Sequence, residues 1–103
     1  LGEALRHVGA ATRAAWSTGN PTDALGNAVP YLQAFGHTVL AWIWLDVALA
    51  SRAQAGHAAS AGHTGRLAAA RYFFHFELPK IGAWLKVVES RDRTCADCPE
   101  EAF

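Results

Sequence analysis

The chain has 103 residues, of which 51% are hydrophobic and 17% are charged. Nine lysines and arginines balance nine aspartates and glutamates, so net charge offers no electrostatic case for binding nucleic acid or an anionic membrane surface. The length fits one domain, and the charged fraction lies below the roughly 25% that is usual in soluble domains. Part of the surface is therefore expected to be an interface.

The first helix is expected to extend from residue 1 to about residue 17. Its apolar stripe contains Leu1, Leu5, Val8, Thr12 and Ala15. Leu1 already lies on this stripe without a capping residue before it, so we expect the chain to be part of a longer protein.

Signals for a helix end and a new helix start follow. Gly19 suits the left-handed residue after a helix, Asn20 can cap the next helix, and Pro21 fits its first position. The second helix is expected to extend from residue 21 to about residue 53, with a kink at Pro30 because proline removes a backbone donor. Its apolar stripe, which we expect to face the core, contains Leu25, Val29, Leu32, Phe35, Val39 and Ile43.

Trp44 lies on the opposite side of this helix. It follows Gln33 and His37 on a stripe where an isolated helix would expose it to water. Trp42 is about 200° away around the helix, so one core cannot easily bury both indoles. We therefore predict an interface with the rest of a larger protein or with a second copy. Its expected residues are Leu40, Trp44, Val47 and Ala48.

The sequence gives no expectation of a membrane span or of a disulfide framework. The longest apolar run, residues 39–45, is shorter than the roughly 20 residues that a spanning helix needs, and Asp46 ends it. The two cysteines lie close together near the end of the chain, a usage compatible with a reducing cytoplasm.

A connection rich in Ala, Gly, Ser and His is expected at residues 54–65. The third helix follows from about residue 66 to residue 90, with a bend at Pro79. Its apolar stripe contains Leu67, Ala70, Phe74, Leu78, Ile81, Leu85 and Val88. Residues 91–103 form a short charged tail, and Phe103 is expected to pack back onto the bundle. The predicted fold is all-α, an up-down-up bundle of three long helices kinked at prolines.

Two long motifs are DALGNAVPYLQAFGHTVLAW at Asp23 to Trp42 and RLAAARYFFHFELPKIGAWLKVVES at Arg66 to Ser90, and the chain ends in Phe103. With them, most of the chain resembles the C-terminal helical extension of a bacterial subgroup of acyl-CoA dehydrogenases. That subgroup includes enzymes similar to 3-methylmercaptopropionyl-CoA dehydrogenase.

The resemblance implies a parent enzyme that uses FAD to dehydrogenate an acyl-CoA thioester between its α and β carbons. The glutamate base and the flavin cradle of such enzymes belong to the domains before this extension. The resemblance thus implies no catalytic, cofactor-binding or metal-binding residue in this chain. It implies a structural domain that covers the core and builds the oligomer interface.

The carboxylates within the predicted helices are Glu3, Asp46, Glu77 and Glu89. All but Asp46 have an Arg or Lys at helical spacing, which is typical of a solvated face. Asp46 would be costly in an apolar environment unless it were paired, and Arg52, Arg71 or an indole N–H could satisfy it. As a lone acid it supports no reaction class.

Two histidines and two cysteines are ligand types found in structural zinc sites: His57, His63, Cys95 and Cys98. About 24 helical residues separate the two pairs, or roughly 36 Å, so one chain is not expected to bind a metal through them. A redox role for the cysteines lacks a surrounding βαβ pattern. His37 and His75 are each alone on a polar stripe and are expected to be ordinary surface or interface residues.

Two other functions stay open. A free-standing helical interaction module would dimerise or dock through the surface from Trp42 to Trp44 without any link to flavin chemistry. A bundle could also hold a small apolar ligand or haem against the second helix. The residues for that site would be Phe73, Phe74, Phe76 and Trp84, although aromatic stripes at helical spacing more often form a core.

Overall fold

The computed structural model describes residues 1–53 and 61–103, which are helical without strands, so the predicted all-α class is confirmed for that part of the chain. Its α-helices are α1 (Gly2–Ala15), α2 (Pro21–Leu25), α3 (Ala28–Ala53), α4 (Ala61–Tyr72) and α5 (Ile81–Ser90). A short 3₁₀ turn, Glu100–Ala102, lies in the tail. The expected arrangement of three long helices is not what these elements form.

The turn between α1 and α2 follows the predicted chemistry. Gly19 has φ +70°, a left-handed conformation that glycine adopts without steric cost. The side chain of Asn20 accepts a hydrogen bond from the Thr22 amide at 3.0 Å, and Pro21 takes the first helical position. Asp23 accepts a hydrogen bond from the Thr18 hydroxyl at 2.9 Å, which closes the turn.

The predicted second helix is divided, and the expected kink at Pro30 is wrong. Gly26 and Asn27 separate α2 from α3, and Pro30 lies in the first turn of α3. The missing N–H of a proline has little cost there, because amides of the first turn have no partner within the helix. α2 therefore ends before Pro30, at Gly26, where an added Cβ would lie 3.2 Å from the Thr22 carbonyl oxygen.

The predicted third helix begins earlier than expected and contains an irregular segment. Residues 61–65, expected to be part of the connection, belong to α4, while residues 54–60 lie outside the described residues. Between α4 and α5 the chain forms a π-helical turn, Phe73–Glu77, and a 3₁₀ turn, Leu78–Lys80. Pro79 thus alters the hydrogen-bonding pattern near the predicted position without ending the helical segment.

The core joins α1, α3 and α5, because α5 packs against both of the other two helices. Small side chains let the helices approach closely, and Ala11, Ala34 and Leu85 are fully buried. The buried members of this core are Ala4, Val8, Ala11, Ala15, Ala34, Ile81, Leu85 and Val88. α4 packs against α3, where the Arg66 guanidinium donates a hydrogen bond to the buried Ser51 hydroxyl at 3.0 Å.

The tail forms a clasp over the α1–α2 corner. Asn27 is 7% exposed and donates a hydrogen bond from its side-chain amide to the Asp92 carbonyl at 2.9 Å. Arg91, in a left-handed conformation at the end of α5, donates to the Ser17 hydroxyl at 2.7 Å. Arg93 pairs with Asp23. The expected anchor is wrong, since Phe103 is 95% exposed and polar contacts hold the tail instead.

The molecule is elongated, with extents of 61 × 28 × 16 Å and a radius of gyration of 18.2 Å. A compact domain of this length would have a radius of gyration of about 13 Å. The accessible surface is 6964 Å², whereas a folded monomer of this mass exposes about 5,600 Å². The chain therefore leaves an unusually large area in contact with solvent.

Candidate interaction surface

The outer face of α3 carries the largest exposed apolar side chains of that helix. We use the term outer face for Val29, Leu32, Phe35, Gly36, Val39, Trp42 and Ile43. Leu32 is 68% exposed and Trp42 is 61% exposed. The stripe expected to face the core, from Leu25 to Ile43, is thus exposed, and that prediction is wrong. The buried residues of α3 are Ala34, Thr38, Ala41 and Ser51.

There is a physical reason why the bulky side of α3 is exposed and its small side is buried. α3 meets α5 through small side chains, which allow close packing, so the bulky residues remain on the other side. The Thr38 hydroxyl donates to the Ala34 carbonyl at 2.8 Å, which satisfies its polar group inside the core. A pattern that ranks side chains by hydrophobicity therefore selects the wrong face of this helix.

The residues predicted to form the interface differ in their exposure. Leu40 is 44% exposed and adjoins the outer face. Trp44, Val47 and Ala48 are half-buried, so the chain itself already covers part of Trp44, which we expected to be exposed to water. Their contact with a partner stays a prediction.

A groove of about 300 Å³ lies between α1 and α3 beside the outer face. Its lining is almost entirely apolar: Leu1, Leu5, Val8, Phe35, Thr38, Val39 and Trp42. Leu5 was expected on the core stripe of α1 but is 57% exposed, since Ala4 and Ala11 occupy the contact with the core. The groove extends the exposed apolar surface from α3 onto α1.

Charge is nearly absent from this surface. Asp46 is the first charged residue of α3 and is exposed just beyond Ile43. Its exposure removes the desolvation cost that suggested a partner such as Arg71 or Arg52. Gly36 has open space where a Cβ would be, since apart from its two neighbours and the backbone of the adjoining helical turns no atom of the described residues lies within 4 Å. The surface is therefore apolar, and at Gly36 it leaves room for the backbone of a partner to approach closely.

His37 lies on the other side of α3, in a polar contact with the π-helical turn. Its Nε2 is 3.2 Å from Oε2 of Glu77, and its ring packs edge-on against Trp84 with 4.8 Å between centroids. Lys80 donates to Glu77 at 2.9 and 3.0 Å. Lys80, and then His37, hold the pKa of Glu77 below its ordinary value. His37 is thus a half-buried interhelical contact rather than an ordinary surface residue.

A second histidine–carboxylate pair joins α1 to α5, with His7 Nε2 and Glu89 Oε1 2.9 Å apart. Both side chains are 38% exposed, so the pair is screened by water. Glu77 and Glu89 are therefore accounted for by contacts between helices, and Glu3 is exposed in the first turn of α1.

By length and composition, α3 could cross a membrane. Core helices of soluble proteins and signal sequences meet the same criteria. One side of α3 packs inside the protein, where Ala34 and Ala41 are fully buried. Only the remaining part of its circumference could contact lipid. The expectation of no membrane span stays a prediction.

The sequence profile of the family described as acetyl-CoA dehydrogenase C-terminal like matches residues 1–99. The chain belongs to this family. The match extends from α1 into the tail and includes every residue of the outer face and the groove. No curated protein and no solved structure gave a significant match.

The groove of this C-terminal-like domain does not fit FAD. Thr38 is the polar side chain of its lining, and its hydroxyl already donates within α3. A dinucleotide needs amide or cationic donors at its pyrophosphate, commonly at a helix N-terminus after a glycine-rich turn. The apolar lining fits a hydrophobic side chain better than a flavin nucleotide.

The metal and haem hypotheses find little support in the domain. His57 lies outside the described residues, His63 is half-buried in α4, and Cys95 and Cys98 are exposed in the tail. Residues 1–53 and 61–103 contain no group of three or more potential metal ligands. Of the proposed haem cluster, Phe73 is buried whereas Phe76 is 64% exposed, so these rings do not enclose one cavity. His75 is exposed and packs edge-on against Phe76.

Proposed function

We propose that this chain is the structural C-terminal domain of a FAD-dependent acyl-CoA dehydrogenase and that its outer face is covered in the assembled enzyme. The parent enzyme would catalyse α,β-dehydrogenation of an acyl-CoA thioester. It would be similar to 3-methylmercaptopropionyl-CoA dehydrogenase. The base and the flavin would belong to other parts of that enzyme. Family membership supports the class of enzyme.

The observation that carries the structural role is the exposed apolar stripe of α3. The outer face contains seven residues, and two of its large side chains, Leu32 and Trp42, expose more than half of their surface. Complete burial of such side chains contributes about 1.5–3 kcal/mol each. Apolar patches of this extent on soluble proteins commonly mark interaction sites.

The partners of this proposal are the rest of the flavoenzyme, a further copy of the chain, or both, in the cytoplasm. Neither nucleic acid nor a membrane is part of it, since the net charge is zero and a single acidic residue borders the face. A free-standing interaction module remains the alternative. The complete reading frame discriminates the two, because only the first requires a flavin domain in the same protein.

The test uses the enzyme expressed from that complete reading frame. Leu32→Glu should weaken the assembled state, seen as a lower temperature of flavin release and a smaller particle by light scattering. Val87→Glu is the matched control, because Val87 is 40% exposed on α5 and lies away from the outer face. Equal flavin release and equal mass for both variants would contradict a covered outer face.

A separate measurement tests the non-catalytic assignment. The chain expressed alone should be colourless and should not reduce a dye electron acceptor with any acyl-CoA. Stoichiometric flavin in the purified chain would contradict the assignment.

A further inference from the structure

We propose that Cys95 and Cys98 are a modification site. At this site a small-molecule disulfide, such as oxidised glutathione, converts the two thiols into an intramolecular disulfide that holds the tail clasp in place. The tail clasp is the set of polar contacts that tie residues 91–93 to the α1–α2 corner. Three observations carry the inference: the exposure of the thiols, the turn that they share, and the contacts of the two residues between them.

Both thiols are accessible to a reagent in solution. Cys95 and Cys98 are exposed and free. Thiol–disulfide exchange begins with attack of a thiolate on a disulfide sulfur, so the attacking sulfur must be within reach of the reagent. Exposed disulfides are also reduced more readily than buried ones, and disulfides in a reducing compartment are usually transient. The exposure of this pair therefore suits a reversible modification rather than a permanent staple.

The backbone between the two cysteines already turns. The Asp97 amide donates to the Arg93 carbonyl at 2.7 Å, which closes one helical turn, and the Arg93 guanidinium donates to the Asp97 carboxylate at 3.0 Å. Residues three apart in helical backbone have their Cα atoms about 5 Å apart. A disulfide usually needs roughly 4.4–6.8 Å between these atoms. Cys98 directly follows the turn that contains Cys95, so closure requires only that helical backbone continue through Asp97.

The two residues between the cysteines hold the tail against its neighbours. Ala96 is half-buried, whereas every other residue of the tail is exposed. A Cβ at Gly26 would lie 3.6 Å from the Ala96 Cβ, so Ala96 lies against the joint between α2 and α3. Asp97 holds Arg93, which pairs with Asp23 of α2. The backbone angles of Ala96 and Asp97 thus set both the separation of the cysteines and the position of the clasp.

The modification is a two-step exchange. The thiolate of one cysteine attacks a sulfur of the small disulfide, which forms a mixed disulfide and releases one small thiolate. The thiolate of the other cysteine then attacks the protein sulfur of this mixed disulfide, and the second small thiolate leaves. The two cysteines lose two electrons and two protons, which the small disulfide takes up as two thiols. An excess of the small thiol reverses both steps.

The disulfide should stabilise the clasped tail. It restricts the backbone of Ala96 and Asp97 when the tail is detached, so that detachment gains less conformational entropy. The clasped tail loses little, because its backbone already turns at these residues. The coupling is reciprocal, so the clasp also favours the disulfide. The oxidation state of the pair therefore sets how firmly the tail is held.

Mass spectrometry tests whether the disulfide forms. The 103-residue chain is incubated with oxidised glutathione, and the remaining thiols are then alkylated. We expect a monomeric chain that has lost two hydrogens and carries no alkylated cysteine. A covalent dimer, a persistent mixed disulfide with glutathione, or two alkylated cysteines would overturn the modification site.

Melting temperatures test whether the disulfide acts through the clasp. Oxidation should raise the melting temperature of wild type by at least about 4 °C, and dithiothreitol should reverse the rise. Asn27→Ala/Arg93→Ala lacks two contacts of the clasp, so oxidation should leave its melting temperature unchanged. Arg93→Ala alone, at an exposed side chain, should show a smaller rise than wild type and replaces the double variant if that does not fold.

Two controls complete the comparison. Ile81→Val weakens the core at a buried residue of α5 outside the tail and should keep the full rise on oxidation. Cys95→Ser/Cys98→Ser should melt equally with oxidised glutathione and with dithiothreitol. An equal rise in wild type and in the clasp variants, or no rise in wild type, would overturn the link between the disulfide and the clasp. These outcomes do not depend on the class of the parent enzyme, because no residue of the outer face takes part.

Discussion

Trp42 and Trp44 lie two positions apart on α3 and meet opposite environments, since Trp42 is 61% exposed and Trp44 is half-buried. An angular separation of about 200° between such positions explains the difference. Trp42 borders the apolar groove with α1, together with Phe35 and Val39. Of the two indoles, Trp42 is therefore the one placed to report on events at the outer face.

Fluorescence of Trp42 should depend on protein concentration. The difference between wild type and Trp42→Phe isolates the emission of this indole, which should move to shorter wavelength and become less accessible to acrylamide as the chain associates. The same difference for Trp44→Phe should change little, because Trp44 is already half-buried. A concentration-dependent shift confined to Trp44 would contradict the assigned faces.

Acidification should remove the contribution of Glu77 to stability. The pKa of Glu77 is lowered by Lys80 and His37, so its ionised form stabilises the folded state above the unfolded-state pKa of about 4.3. That stabilisation is lost as the pH falls through the lower folded-state pKa. Wild type should therefore melt above Glu77→Gln at neutral pH, and the difference should vanish in acid. A difference that grows as the pH falls would contradict this contact.

We expect the tail clasp to stabilise the folded state through the buried side-chain amide of Asn27. Asn27→Ala removes the donor to the Asp92 carbonyl, and such a loss costs about 1–3 kcal/mol. The melting temperature should fall by at least about 4 °C for a domain of this size. Asp97→Asn, at an exposed partner of Arg93, is the control and should change it little. Equal melting of wild type and Asn27→Ala would contradict the clasp.

Replacement of both cysteines should not affect folding. Cys95 and Cys98 are exposed and free in the tail, so Cys95→Ser/Cys98→Ser should keep the melting temperature of wild type, with or without a chelator. A fall of more than about 4 °C, roughly 1 kcal/mol, would show a staple or a metal site.

Local signals predicted the fold more successfully than global ones. Asn20, Pro21 and Gly19 predicted the turn after α1, because capping chemistry depends on a few adjacent residues. The division at Gly26 and Asn27 was not predicted. The kink was expected at Pro30 instead, although proline is well accepted in the first turn of a helix. Residue spacing also could not show that the tail returns to Asn27, a contact across 65 positions.

The candidate surface could be predicted only in part. Hydrophobic periodicity located the stripe on α3, but it cannot tell a core inside the chain from an interface outside it, because both bury apolar side chains. The size of the side chains on the opposite side of α3 shows which face is packed inside the chain. Ala34 fits the core cluster with α5 and Ala41 is fully buried, whereas Val39 and Ile43 are exposed.

The most direct test compares the two faces of α3 with the same substitution. Ile43 is 52% exposed on the outer face, and Ala41 is fully buried. Circular dichroism and light scattering of Ile43→Glu should show a chain that keeps its helical spectrum and is monomeric. Ala41→Glu should lose its helical structure, because it buries a carboxylate without a partner. An Ile43→Glu variant that unfolds as Ala41→Glu does would contradict the account, since Ile43 would then belong to the core.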